Sequence, residues 1–159
     1  MARTLYASYP GFEPGEIRTD RPTGAARLKW VVVVDDELSP GRAVNAAVCI
    51  AATTAQSVTG LIGGPAIDAE GSAHPGLPWA GATILTAPAE SLTRLRARAA
   101  ASEGVFVADM PGAAQETRVY DEYLSEMARS GAEMRYLAVG IVGPRNRVAK
   151  MVHGLEMLA

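Results

Sequence analysis

The sequence predicts an α/β domain in which helices cover both faces of a small, four-stranded, mostly parallel sheet. Three observations carry that expectation. Strand-like apolar runs and helix-period segments alternate four times along the chain, the pattern of strands joined by right-handed crossovers. The first run, LKWVVVVD, is continuous and rich in β-branched residues, as strands buried on both faces are. Finally, no Lys, Arg, Asp or Glu occurs between Arg42 and Asp68. A surface helix keeps a polar stripe toward water, so a helix in that stretch must be covered on more than one side.

Taken in order, residues 1–26 are rich in Pro, Gly and charge and show no period, which predicts an irregular N-terminal arm ahead of a domain over residues 27–159. Tyr6, Tyr9 and Phe12 give the arm aromatics that disordered tails rarely carry. Its first half is therefore expected to pack on the body or on a partner subunit. Residues 28–35 form the first strand. Ser39 and Pro40 start a helix, the hydroxyl able to accept an orphan N–H and proline suiting the first turn, and Gly60 stops it. This helix carries Ala, Val, Cys, Ile and Thr all round. Its outer face is expected to meet the last helix, the arm or a second copy of the chain, and Cys49 within it reads as a small core residue.

Residues 61–80 make a long Gly/Pro-rich connection, and loops of that length are usually functional or mobile. Residues 81–87 are the second strand. Pro88 then opens a helix with Leu92, Leu95 and Ala99 on one face and arginines on the other, closed by Gly104. Residues 105–109 are the third strand. After Pro111 and Gly112 a longer helix is expected, with Val119, Tyr120, Tyr123, Leu124 and Met127 at three- and four-residue spacing; it ends at Gly131 and holds Tyr120 in the core. Residues 135–143 are the fourth strand, followed by a short helix that starts at proline and stops at Gly154.

At 159 residues the chain suits one domain. A net charge of -2 supplies no broad positive field for phosphate backbones, and the clusters Arg94, Arg96, Arg98 and Arg145, Arg147, Lys150 read as solvated helix faces. One cysteine rules out an internal disulfide and any multi-cysteine metal pattern; the two histidines, His74 and His153, stand far apart. No metal and no cofactor are expected. No run approaches the ~18 apolar residues that cross a bilayer, and the start lacks the pattern of a targeting segment. A cytoplasmic protein without a membrane partner is the expectation.

Several stretches resemble a known family: KWVVVVDDELSPGRAVNAA, ATILTAPAESLTRLRARAAASEGVFVAD and GPRNRVAKMVHGLEML. They are similar to the type 2 peptidyl-tRNA hydrolases and, more closely, to a bacterial sister family catalogued as domain of unknown function two thousand. Asp68, Gly71 and His74 match its Asp-x-x-Gly turn with a following histidine. Ala114, Gln115, Tyr120 and Tyr123 match its AAQ…Y…Y helix. The resemblance covers roughly residues 28–158 and implies a three-layer α/β/α domain with a four-stranded mixed sheet, commonly a dimer. The hydrolase pattern opens its first helix with Gly-Lys-Gly-Lys, then Ala-Ala-Gln and a histidine. Here Gly41, Arg42, Ala46 and Ala47 are kept, while Val44, Val48 and Ala51 stand for the second lysine, the glutamine and the histidine. The acid ending the third strand is kept as Asp109, and Lys150 as the lysine of the last helix. With so many polar groups replaced, tRNA is not an expected partner.

Open α/β sheets place ligands at the carboxyl ends of strands. That crevice is expected to collect Asp35, Asp36, Asp109 and the Gly41-to-Asn45 turn. Ester hydrolysis needs a group to orient or deprotonate water and donors to hold an oxyanion. Asp109 suits the first role, Arg42 with the helix-opening N–H groups the second, and His74 that of a general acid or stacking group. Asn45, Asp36, Gln115 and Lys150 are the expected substrate contacts. Each has a structural alternative: Asp109 capping the next helix, Arg42 pairing with Asp35 or Asp36, Asn45 anchoring the long loop, His74 serving the loop alone. Two functions follow: a hydrolase or acyl/aminoacyl transferase acting on a small acyl or aminoacyl compound, or a homodimeric module that binds a metabolite or protein without turnover; peptidyl-tRNA hydrolysis, implied by the resemblance, is a third and weaker alternative.

Overall fold

The computed structural model describes residues 9–159. Strand β1 (Leu28–Asp35) lies at the centre of the sheet, and its residues are buried almost throughout, as its continuous apolar run requires. Helix α1 (Pro40–Ser57) follows, then a ribbon ending in β2 (Ala66–Ile67) and β3 (Ala73–His74). Next come β4 (Ala82–Ala87), α2 (Ala89–Ala100), β5 (Phe106–Pro111), α3 (Ala113–Glu116), α4 (Tyr120–Arg129), β6 (Tyr136–Pro144), α5 (Arg145–Met151) and β7 (Glu156–Met157).

The main sheet has five strands in the order β5-β6-β1-β4-β7. This corrects the expectation of four, because the short β7 adds an antiparallel edge to β4. It also corrects the expected direction. Only one neighbouring pair, β1·β4, is parallel; β1·β6, β5·β6 and β4·β7 are antiparallel. An apolar run reports burial on two faces and says nothing about direction. A helix between strands does not force a parallel return either: the chain leaves β5 through α3 and α4 and re-enters the sheet reversed.

Alternation along β1 divides the core. Trp30, Val32 and Val34 face Ala43, Ala46 and Ile50 of α1, while Val31 and Val33 pack with Leu92, Leu95 and Ala99 of α2 and Val148 of α5. Helices thus lie on both faces of the sheet. Gly140 on β6 lets α1 come close, since a Cβ there would meet Ile50 Cγ2 at 2.3 Å. Gly60, Gly104 and Gly154 take the left-handed conformation where helices were expected to stop.

Four side-chain expectations change. Ser39 precedes α1 but makes no side-chain cap bond. Helix α1 buries only Ala43, Ala46, Ile50 and Thr54, so it is covered on one side; Val44 and Val48 are 59% and 60% exposed. Cys49 shares that open side and is exposed, not core. The long helix after Gly112 breaks in two at Thr117, and α4 leaves Tyr120 and Leu124 exposed. Helical spacing identifies an amphipathic face, whereas the neighbour that covers it is a tertiary matter.

The Gly/Pro-rich connection is a built ribbon. Gly63 N–H donates to Leu77 O (2.8 Å) and Trp79 N–H to Leu61 O (3.2 Å), with Asp68 Oδ1 accepting from Glu70 and Ser72 at the tip. Within the arm, the part before residue 9, including Tyr6, lies outside the described residues. Phe12 is buried edge-on against Trp79, ring centres 4.8 Å apart, and Tyr9 packs against Phe106 at 4.9 Å. Two arginines hold the arm down: Arg27 on Glu16 and Gly11 O, and Arg145 on Ala26 O (2.6 Å) and Thr23 O (2.9 Å).

Candidate functional site

Strands β1, β4 and β5 run in one direction, so their carboxyl ends share an edge, and α1 begins there. Because Pro111 has no N–H to donate, the β5·β6 ladder shifts register between Met110 and Pro111, and the chain turns into α3. Gly112 N–H donates to Arg135 O (3.0 Å), seating α3 beside the first turn of α1. The result is an open cleft lined by Gly41, Arg42, Asn45, Ala114, Gln115 and Glu116.

Gln115 ties this cleft together. Its Oε1 accepts from Arg42 Nε (2.8 Å), and its Nε2 donates to Arg42 O and to Asn45 Oδ1 (both 3.0 Å). One amide therefore fixes two side chains a helical turn apart. Both terminal nitrogens of the Arg42 guanidinium remain without a partner among the described residues. With no side-chain cap at Ser39, the N–H groups of Gly41 and Arg42 also face outward from the helix start. The cleft offers several donors, one fixed cation and the carboxylate of Glu116.

A second pair lies behind it. Asp35, whose side chain is fully buried, accepts from Arg135 Nη2 (2.6 Å) and from Glu37 N–H (3.0 Å). The Arg135 guanidinium is held above its usual pKa, first by that hydrogen bond to Asp35 and then by the charges of Asp35, Glu37 and Glu116. Arg135 and Glu116 were not singled out from the sequence. An acid ending a buried strand was the available signal, but its partner is a hundred residues away.

Of the expected site residues, Arg42, Asn45 and Gln115 come together. Asn45 bonds Gln115 and not the long loop. Asp109 does not join them: it lies on the other face of the sheet, where its Oδ2 accepts from Arg96 Nε at 3.0 Å. Burial works against the Arg96 charge, yet the hydrogen bond and charge of Asp109 keep the guanidinium above its ordinary value. Arg96 also stacks 5.6 Å over the Tyr136 ring, so it is not the solvated arginine expected on α2. Burial, more than the nearby Asp109, raises the Tyr123 hydroxyl pKa. His74 sits on β3 with its Nε2 3.2 Å from Asp68 Oδ2. Asp68 is held low mainly by its bond from Ser72 N–H and next by His74. Asp36 is exposed after β1, its N–H on Ala87 O (3.1 Å). Lys150 lies on α5 beside Asn146 and His153. No group of three or more His, Cys, Asp or Glu among the described residues could hold a metal ion.

A mixed α/β sheet clothed by helices on both faces, with a guanidinium and two amides at its carboxyl edge, defines the class. The chain belongs to the family described as protein of unknown function (DUF2000), whose model matches residues 28–159. Its structure is similar to that of a protein of unknown function from Agrobacterium tumefaciens strain C58, with a TM-score of 0.75 and 17% identity over 84% of this chain and 98% of that one. At that identity the likeness speaks to fold alone. No curated protein matches the chain.

Proposed function

We propose that this protein is a binding module for a small acyl or aminoacyl compound, seated in the cleft between α1 and α3. The observation that carries the reading is the Gln115 clamp on Arg42 and Asn45, which preorganises a guanidinium with open terminal nitrogens. Arg42 takes the carboxylate or acyl oxygen, and Glu116 at the other wall takes an ammonium. Binding is favoured over hydrolysis because Asp109, the residue suited to activating water, is separated from Arg42 by the sheet. His74 and Lys150 belong to other surfaces.

The same reading includes a second copy of the chain. The outer face of α1, with Val44 and Val48 exposed and no charge to repel a twin, is a fitting homodimer contact. It also includes the finer architecture, a three-layer α/β/α arrangement of the type 2 peptidyl-tRNA hydrolase kind, and a cytoplasmic setting. In support, helices lie on both sheet faces and no described helix is long and apolar enough to cross a membrane.

Calorimetric titration with alanine and N-acetylalanine tests the cleft. Saturable binding that is lost in Arg42→Ala supports it; no heat at millimolar concentration sinks it. Turnover of an acyl ester that vanishes in Asp109→Asn with the fold intact replaces binding by catalysis.

A further inference from the structure

The side of the molecule that α1 presents to solvent is built unlike the rest of its surface. Residues 43–67 and 71–89 contain no Lys, Arg, Asp or Glu, so the outer face of α1 beyond Arg42 and all of the ribbon except its tip are free of these charges. Other helices that meet water follow the usual rule: α2 exposes Glu90, Arg94 and Arg98, and α4 exposes Asp121, Glu122 and Glu126. In place of charge, α1 and the ribbon expose Val44, Val48, Ile62, Ile67 and Leu77. They emerge on one side of the sheet, since Leu61, Trp79 and Ala80 at the ribbon base share the core of Ala43, Ala46 and Ile50. Trp79 Nε1–H donates to Gly60 O (2.7 Å) and Gly63 N–H to Leu77 O (2.8 Å), which fixes Ile62 and Leu77 near the carboxyl end of α1. Apolar groups exposed without charge mark a face that another molecule covers.

A second copy is the occupant these features select. An uncharged face meets its own image without repulsion, whereas a charged partner would leave charges unmatched. One helix stripe ~27 Å long and ~10 Å wide falls short of the ~800 Å² that each partner buries in a stable interface, so the ribbon has to join it. Direction follows from Arg42, the only charged residue of α1. A parallel pair stacks two guanidiniums and two positive helix ends. An antiparallel pair sets each Arg42 beside the partner's uncharged carboxyl end, where the ribbon leaves.

The cleft has the complementary need. Its lining of Gly41, Arg42, Asn45, Ala114, Gln115 and Glu116 includes no apolar side chain larger than alanine, although small-molecule sites are walled mainly by hydrophobic groups. We propose that two copies pair through antiparallel α1 helices, and that Ile62 and Leu77 of the partner subunit wall each Arg42 cleft and hold the hydrocarbon part of its ligand. Resting on the cleft reading above, this pairing makes one copy half a site.

Sedimentation and calorimetry of the full chain test the pairing, with N-acetylalanine and N-acetylleucine as probes. A dimer is expected at micromolar concentration, binding N-acetylleucine about tenfold more tightly than N-acetylalanine. Val48→Glu is expected to give a folded monomer without that preference, and Leu77→Ser to lose the preference while N-acetylalanine binds as before. Direction is read with a short bismaleimide on chains carrying Cys49→Ala: a mixture of Val44→Cys and Leu77→Cys must crosslink between unlike chains. A wild-type monomer, crosslinks between like chains only, or a preference that survives Val48→Glu and Leu77→Ser overturns the proposal and leaves the Arg42 cleft itself standing. Failure of both probes to bind overturns the cleft reading and the wall with it, and unlike-chain crosslinks then uphold the antiparallel pairing alone.

Discussion

The two ends of α1 handle polar groups in opposite ways. At the amino end Arg42 and Asn45 are exposed and Gln115 half-buried, and they satisfy one another, with water available to whatever remains. At the carboxyl end the Trp30 indole is buried in the apolar core cluster, its N–H without a hydrogen-bond partner. An exposed polar cluster tolerates an imperfect arrangement because solvent completes it. A buried donor carries the desolvation cost of about 1–3 kcal/mol until something accepts from it. The open cleft is therefore suited to weak, exchangeable ligands.

Both ends depend on how α1 is anchored, so the largest effect comes from the anchor. Ile50 is fully buried between α1 and Gly140. Ile50→Ala is expected to cost about 3 kcal/mol in denaturant unfolding and to weaken ligand binding at the cleft. Unchanged binding at the cleft would show that this anchor does not position it. Next is the support behind the cleft. Asp35→Ala removes the acceptor of a partly exposed Arg135, which can rehydrate, so a loss of about 2 kcal/mol is expected, with the Trp30 indole resonance unchanged. A Trp30 resonance displaced in this variant would contradict the independence of the two ends.

Smaller again is Gln115→Ala, about 1 kcal/mol or less in stability because the amide is partly exposed. Its sharper consequence is a released Arg42, with ligand affinity at the cleft reduced several-fold by titration. The smallest effect concerns the arm. The bond from Arg27, then that from Glu13 N–H, lowers the Glu16 pKa from 4.5 to about 2. A lowered carboxylate pKa stabilises the folded form above the unfolded value and loses that contribution as pH falls through the folded one. The latch should hold at pH values above 4.5 and release as pH drops from 4.5 toward 2. Trp79 fluorescence, read through its contact with Phe12, follows that release; a transition near neutrality would point to another group.

Much of this was legible in local patterns. β1 occupies residues 28–35 as its apolar run implies, and three helices end a few residues before glycines that take positive φ. In these cases the determinant lies within a few residues of its effect, in steric limits on φ or in the burial a β-branched run demands. Arg42, Asn45 and Gln115 were legible as candidates because amides and a guanidinium near a helix start have few other uses. What failed was relational. In VFVAD every residue but the last is apolar, so the alternation could not say which face Asp109 takes. The Tyr120 spacing announced an amphipathic helix without naming a neighbour, and α1, uncharged after Arg42, announced burial that one chain supplies on one side only.

The sequence by itself determined the approximate bounds of the four long strands and of α1, α2 and α5, and which strands are buried, because backbone sterics and hydrophobic period act over short separations. Strand direction, the face given to Asp109, the pairing of Asp35 with Arg135 and the solitary indole of Trp30 were decided only in the tertiary structure. Each depends on the register between segments distant in the chain, and register is settled by packing of the whole core.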